Sequence, residues 1–144
     1  PTMENSPEVF LVREKMFSTG VDMFLDIHGD EALPYNFVAG SEGIPSYDDK
    51  MKSLEESFKS ALLTITPEFQ DEFGYDKDEP GKANLTVGSC WVAEEFKCLS
   101  YTIEMPFKDN INLPDADYGW SDRRSYSFGQ DTLAAIVNVV DELR

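Results

Sequence analysis

The sequence predicts an α/β layered fold, and three observations carry that prediction. Apolar residues recur at helical spacing in some stretches and alternate with period two in others. The two kinds of stretch take turns along the chain, which favours sheet and helix layers packed on one another. The length, 144 residues, suffices for one domain with a real core, and no internal repeat or low-complexity linker divides it.

Ser6-Pro7-Glu8 reads as a helix start: a capping hydroxyl, a proline in the first turn, then an acid. Val9, Val12, Met16 and Phe17 follow at helical spacing, and Gly20 is the stop. Residues 21–27 form a strand with Val21, Met23, Leu25 and Ile27 on one face and Asp22, Phe24 and Asp26 on the other. Residues 28–47 are a long irregular segment with a short extended piece at 35–38, and a loop of this length in a compact domain is usually functional. A second helix covers 47–64, with Met51, Leu54, Phe58 and Leu62 along one stripe and Pro67 closing it. Residues 66–82 are acidic, carry Gly74, Pro80 and Gly81, and read as a surface loop. A third helix is expected over 85–96, weakened by Thr86, Val87 and Gly88. Residues 98–104 form the second clear strand, ended by Pro106, with Ser100, Thr102 and Glu104 sharing a face. After a loop at 106–120, Ser121-Asp122 starts a final helix to about Leu143, apolar at Leu133, Ile136, Val137 and Val140.

Two or three strands make a thin sheet. The chain also opens on Pro1 with no initiator methionine or signal-peptide pattern, and ends close to an apolar helical run. Both features predict a piece of a larger domain whose N-terminal part is missing here.

A net charge of −16 argues against nucleic acid and anionic membrane as partners, since both need clustered Lys and Arg. Cys90 and Cys98 are too few for a disulfide framework and read as free core thiols in a reducing compartment. The longest apolar run, 133–140, is interrupted by Asn138 and far short of the roughly 20 residues a membrane span needs. A soluble, cytoplasmic protein is expected.

The only histidine, His28, stands where an apolar strand breaks into an acidic, glycine-containing loop. Ligand and metal sites gather at the carboxyl ends of strands in α/β proteins. His28 reads either as a metal ligand or as an incidental strand-end residue, with Asp26, Asp30 and Glu31 as companion ligands or as members of a solvated turn. Glu104 ends its strand on a face of small polar side chains, where desolvation would raise its pKa toward general-base range. Its alternative is a structural ion pair with a neighbour such as Lys108. Other templates fail: the chain has no His-Glu-x-x-His, no Gly-x-Ser-x-Gly elbow, no phosphate-binding glycine loop and no Cys–His signature.

At these two segments the chain resembles the zinc metallocarboxypeptidases, in particular the bacterial branch similar to cytosolic carboxypeptidases. The resemblance rests on Phe24-Leu25-Asp26-Ile27-His28-Gly29-Asp30-Glu31-Ala32-Leu33-Pro34-Tyr35-Asn36-Phe37 and on Thr102-Ile103-Glu104-Met105-Pro106-Phe107-Lys108-Asp109, with Pro80-Gly81-Lys82-Ala83-Asn84-Leu85 between them. It implies an α/β/α sandwich around a mixed sheet, of the phosphorylase/hydrolase-like zinc-peptidase type, with residues 1–144 as the C-terminal half of one catalytic domain. It further implies that His28 is the third zinc ligand and Glu104 the catalytic glutamate. The His-x-x-Glu pair that completes the zinc site, and the Asn-Arg pair that grips the substrate's terminal carboxylate, would lie upstream of Pro1.

The implied substrate is the C-terminus of a peptide or protein. Tyr75, or else Tyr35, matches the family's mobile tyrosine. Lys82 is either a cation for an acidic substrate side chain, which would suit trimming of glutamate, or a plain surface lysine. The implied activity is a zinc-dependent carboxypeptidase. A zinc deacylase of N-acyl amino acids shares this fold but would need a closed, strongly cationic pocket. A non-catalytic binding module would instead have lost the upstream ligand pair. By itself this chain is expected to be inactive and to bind zinc weakly, because one histidine among solvated acids falls short of three preorganised ligands.

Overall fold

The computed structural model describes residues 1–143. The chain runs α1 (Pro7–Thr19), β1 (Met23–Asp30), β2 (Phe37–Ala39), α2 (Asp49–Ile65), α3 (Gly88–Phe96), β3 (Leu99–Pro106) and α4 (Asp122–Val139), followed by a 3-10 turn at Val140–Glu142. The sheet is mixed, in the order β1-β3-β2, with β1 parallel and β2 antiparallel to β3.

β3 is the central strand and is buried on both faces. Leu99, Tyr101 and Ile103 meet Leu54, Phe58 and Leu62 of α2 and Phe128, Ala135 and Val139 of α4 in the main core. On the opposite face small polar side chains let α3 approach closely. The Ser100 hydroxyl donates to the Ser89 carbonyl at 2.7 Å, and the Ser89 and Thr102 hydroxyls share a hydrogen bond at 2.9 Å. Helices therefore cover both faces of the sheet, as the predicted α/β/α sandwich requires.

The helix ends follow from their caps. Asp48 accepts from the Met51 N–H at 2.8 Å, so α2 starts just after the expected Tyr47. Gly20 ends α1 with φ +73°, a conformation that favours a residue without a Cβ. The glycine at 88 opens α3 rather than lying within it, which shortens the predicted helix by three residues.

Two predicted faces are corrected. The helix over Pro7–Thr19 forms, yet none of its residues is buried, and Val9, Val12 and Phe17 are each about half exposed. It is attached through Phe17, which packs on Trp91 and Phe96, and through the Arg13 guanidinium over the Trp91 ring. In α4 the buried positions are Phe128, Thr132, Ala135 and Val139, while Leu133, Val137 and Val140 face outward. The bulky Phe128, together with the small Ala135 in the core shared with α2, sets that face, and hydrophobicity alone does not reveal it.

An Arg124-centred clamp pins the 107–120 loop to the 66–70 segment. Arg124 donates to both Glu68 carboxylate oxygens at 2.9 and 2.7 Å, to Asp109 at 2.9 Å, and to the Gly119 and Leu113 carbonyls at 3.0 and 2.8 Å. Cys90 and Cys98 are free and buried, as expected, and burial pushes the Cys98 thiol up to about 11. No described helix is long and apolar enough to cross a membrane.

Candidate active site

The register of β1 against β3 builds the site. His28 lies directly opposite Glu104, between the pairs Asp26–Thr102 and Asp30–Pro106. Period two then puts Asp26, His28 and Asp30 on the same face as Thr102 and Glu104. The first strand runs on to Asp30, so His28 is inside it rather than in the loop beyond its end. β2 closes the other side of β3, with Phe37 opposite Glu104.

The His28 imidazole is half exposed and lies between two carboxylates: Nε2 is 3.1 Å from Asp26 Oδ1, and Nδ1 is 3.6 Å from Glu104 Oε1. Metal-bound histidines usually give their second nitrogen to a carboxylate or carbonyl, which fixes the ring. Asp26 stands in that position, leaving Nδ1 on the Glu104 side.

Glu104 is buried and meets Tyr75 and His28 rather than Lys108. Burial pushes its carboxyl pKa up, Tyr75 and His28 offset part of the rise, and Asp30 and Asp26 add to it. Its Oε1 faces Tyr75 and His28, while its Oε2 is buried with no hydrogen-bond partner. An unpartnered buried carboxylate oxygen is costly in a purely structural role. It suits a group that receives a proton or approaches a cation.

Tyr75 reaches this point from the acidic 66–82 loop, where Gln70 shapes the preceding turn by accepting from Glu72 and Phe73 and donating to the Phe73 carbonyl. Its ring packs edge-on against Phe37. The hydroxyl is 2.5 Å from Asp30 Oδ2 and 3.1 Å from Glu104 Oε1. A phenol has one hydrogen, and the shorter contact favours Asp30. Desolvation raises the Tyr75 pKa further, with both carboxylates adding to it. Asp30 is held below the ordinary carboxylate range by Tyr75 and by the Leu33 and Ala32 N–H groups, which outweigh its burial.

The other predicted residues lie elsewhere. Tyr35 stacks on Phe73 at 4.9 Å between ring centroids, away from Glu104. Glu31 is exposed. Lys82 is exposed too, and does not line the cleft beside His28 and Glu104. The cation in that cleft is Lys77, 2.6 Å from Glu42, which the sequence reading did not single out. Also missed was Glu55, buried on α2 and accepting from the Ser41 N–H and hydroxyl and from Tyr47, an arrangement that holds the 40–47 loop against the cleft. Its position beside Leu54 on the apolar stripe was the available signal.

Among the described residues, no group of three or more His, Cys, Asp and Glu is arranged to hold a metal ion. His28 and the free oxygen of Glu104 fit one ligand and one base beside a metal, which is part of a site rather than all of it.

No protein-family model matches this chain. It is 47% identical over 143 residues to an uncharacterized protein of Zymomonas mobilis, covering 99% of this chain and 38% of that protein. A metallo-carboxypeptidase from Pseudomonas aeruginosa, solved in complex with (2-guanidinoethylmercapto)succinic acid, superposes with a TM-score of 0.98 and 46% identity, covering all of this chain and 38% of that one. A metallo-carboxypeptidase from Burkholderia cenocepacia gives 0.92 and 46%, over 98% of this chain and 37% of that one. A Shewanella denitrificans structure, provisionally described as carboxypeptidase A, is 60% identical with a TM-score of 0.97. In sequence and fold, the chain is similar to a part of these metallo-carboxypeptidases, spanning less than two-fifths of the length of the relatives it matches.

Proposed function

We propose that this chain is part of a zinc-dependent carboxypeptidase catalytic domain, to which it contributes one metal ligand, His28, and the general base, Glu104. The observation that carries the reading is their cross-strand pairing, combined with a buried Glu104 whose Oε2 has no partner. Metallo-carboxypeptidases among the similar structures support the same reading. The remaining metal ligands, and the cationic group that holds the substrate's terminal carboxylate, come from a segment outside this chain.

When bound, zinc polarises the scissile carbonyl and makes a water molecule acidic. Asp26 holds the His28 ring through Nε2, which keeps Nδ1 directed to the metal side. Glu104, with its proton affinity raised by burial, takes the water's proton on its free oxygen and returns it to the leaving amine. Asp30 fixes the Tyr75 hydroxyl beside Glu104, where it closes the site over the substrate. The ligand of the Pseudomonas relative joins a guanidino group to a dicarboxylic acid, which supports a site for a small substrate end carrying both charges. An acidic preference through Lys82 loses its basis, since that side chain lies outside the cleft.

The test uses the protein at its natural length, loaded with zinc, and peptides differing only in their last residue, read by mass spectrometry. Stepwise loss of C-terminal residues is expected. Glu104→Gln should lower the rate by about 10²–10⁴-fold, the range for a lost general base, with metal content unchanged. His28→Ala should lower metal content itself. Full activity in Glu104→Gln would overturn the assignment.

A further inference from the structure

Tyr75 sits on a loop that has no core of its own. Every residue from 71 to 82 is exposed, yet the Tyr75 hydroxyl is held at Asp30 and Glu104. Residues without buried apolar contacts keep one conformation only where specific contacts fix them, because ordering each one costs conformational entropy. Before the tyrosine, the Gln70 turn supplies such contacts, and the tyrosine ring itself rests on Phe37. After it, the contacts converge on the 40–47 loop. Lys77 Nζ is 2.6 Å from Glu42 Oε1. The Gly43 carbonyl accepts from the Ala83 N–H at 3.0 Å. Gly43, at φ +96°, lies so close that a Cβ there would be 2.5 Å from the Asp78 Cβ and 3.0 Å from the Asp78 and Glu79 carbonyl oxygens.

The 40–47 loop can act as a support because it is itself anchored. Ser41, Gly43 and Ile44 are buried. Glu55 of α2 accepts from the Ser41 N–H and hydroxyl and from Tyr47, while Glu94 of α3 accepts from the Ser46 N–H and hydroxyl at 3.0 and 2.8 Å. Two helices therefore hold this loop from opposite ends. An isolated exposed ion pair would add little to that. Here the bond to Glu42 raises the Lys77 pKa, burial opposes the rise, and the charges of Glu42, Glu55 and Glu56 add to it. Lys77 is thus held by a group of acids, next to backbone contacts that fasten the same segment.

We propose that Glu42 and Gly43 are positioning residues: they fasten the 77–83 segment to the 40–47 loop and thereby hold the Tyr75 hydroxyl against Asp30 and Glu104. The inference rests on the role given to Tyr75 above and deepens it. Both residues act through Tyr75 rather than on the reacting groups. Released from this brace, the segment regains its conformational freedom. Tyr75 then keeps only the Gln70 turn before it, the Phe37 ring and its own hydroxyl contacts.

The experiment pairs amide exchange with turnover, on the natural-length, zinc-loaded protein. Lys77→Met, Glu42→Gln and Gly43→Ala are each made alone and combined with Tyr75→Phe, and kcat/KM is measured on one peptide. Exchange across residues 71–83 should rise about two- to fivefold in Lys77→Met and Glu42→Gln, the fold-change that an exposed pair corresponds to. In Gly43→Ala it should rise about tenfold or more, since a strained φ adds to the collision. Metal content should not change. With Tyr75 intact, kcat/KM should fall in the same order as exchange rises. In the Tyr75→Phe background it should fall no further, because the hydroxyl that the brace places is already gone. A purely structural role would lower activity equally in both backgrounds. Exchange across 71–83 unmoved in all three variants, or equal losses in both backgrounds, would overturn the proposal. Raised exchange in a protein that trims no peptide would uphold the brace and sink the carboxypeptidase reading.

Discussion

Replacing Arg124 by methionine keeps most of the side chain's volume against Trp120 but removes the charge and every hydrogen bond it donates. The guanidinium makes a bidentate pair with Glu68, a third charged contact with Asp109, and bonds to two loop carbonyls. Breaking a buried pair by removing one partner costs about 3–5 kcal/mol, while exposed pairs contribute about 0–1. Here the side chains of Arg124, Glu68 and Asp109 are 14%, 21% and 31% exposed, so the abandoned carboxylates can partly rehydrate. That places the cost at about 3 kcal/mol, toward the lower end of the buried case. Urea unfolding of the natural-length protein measures it, and a cycle with Glu68→Gln should return a coupling of about 1–2 kcal/mol. Because the lesion is local, amide exchange should rise mainly across residues 107–120. Burial works against ionised Asp109, but the Asp115 and Asn110 N–H groups and Arg124 outweigh it and hold its pKa below the usual value. A depressed carboxylate contributes stability above its unfolded pKa, about 3.9, and loses it as pH falls through the folded value. The gap between wild type and Arg124→Met should therefore narrow below about pH 4. A variant within about 0.5 kcal/mol of wild type at pH 7, with unchanged exchange in that loop, would refute the reasoning.

Two other perturbations follow from the same packing. Burial, then the charge of Glu42, raises the Glu55 carboxyl, so its contribution to stability is fullest below the unfolded pKa of about 4.3 and falls as pH rises through the folded value. Glu55→Gln should gain on wild type between pH 4 and pH 8 in urea melts, and a constant difference would count against a buried, titrating Glu55. A methyl group at Gly40 would collide with Glu42 and come within 2.9 Å of Glu55 Oε1 and 3.0 Å of the buried Tyr101 ring, so Gly40→Ala should cost about 1–3 kcal/mol. At Gly29 the obstacle is the exposed Phe107 ring edge at 2.7 Å, which can swing aside, so Gly29→Ala should melt within about 0.5 kcal/mol of wild type. Equal losses at the two glycines would contradict the geometry.

Most elements could be read from the chain because their signals are local. Ser6-Pro7-Glu8, the Met51–Leu54–Phe58–Leu62 stripe and the alternation through Ile103 each need only a few neighbouring residues to be recognised. The faces of α1 and α4 could not be read that way. Whether Val12 or Leu133 is buried depends on which neighbours the helix meets, and hydrophobicity at the right spacing cannot name them. Outward-facing Leu133 and Val137 alongside buried Thr132 show packing overriding pattern: Thr132 satisfies its hydroxyl on the Phe128 carbonyl at 2.8 Å and so tolerates the interior.

The candidate site divides along the same line. His28 and Glu104 stood out as chemically able residues at the ends of apolar runs, but 76 positions of sequence separation hide the register that sets them side by side. Register is a property of the sheet, and a slip of one residue would have turned His28 to the opposite face. Lys77, Asp76 and Asp78 were less legible still. In an acidic loop every charge reads as solvated, and only the fold of residues 66–82, shaped by Gln70 and by Tyr75 against Phe37, brings three of them to a cleft.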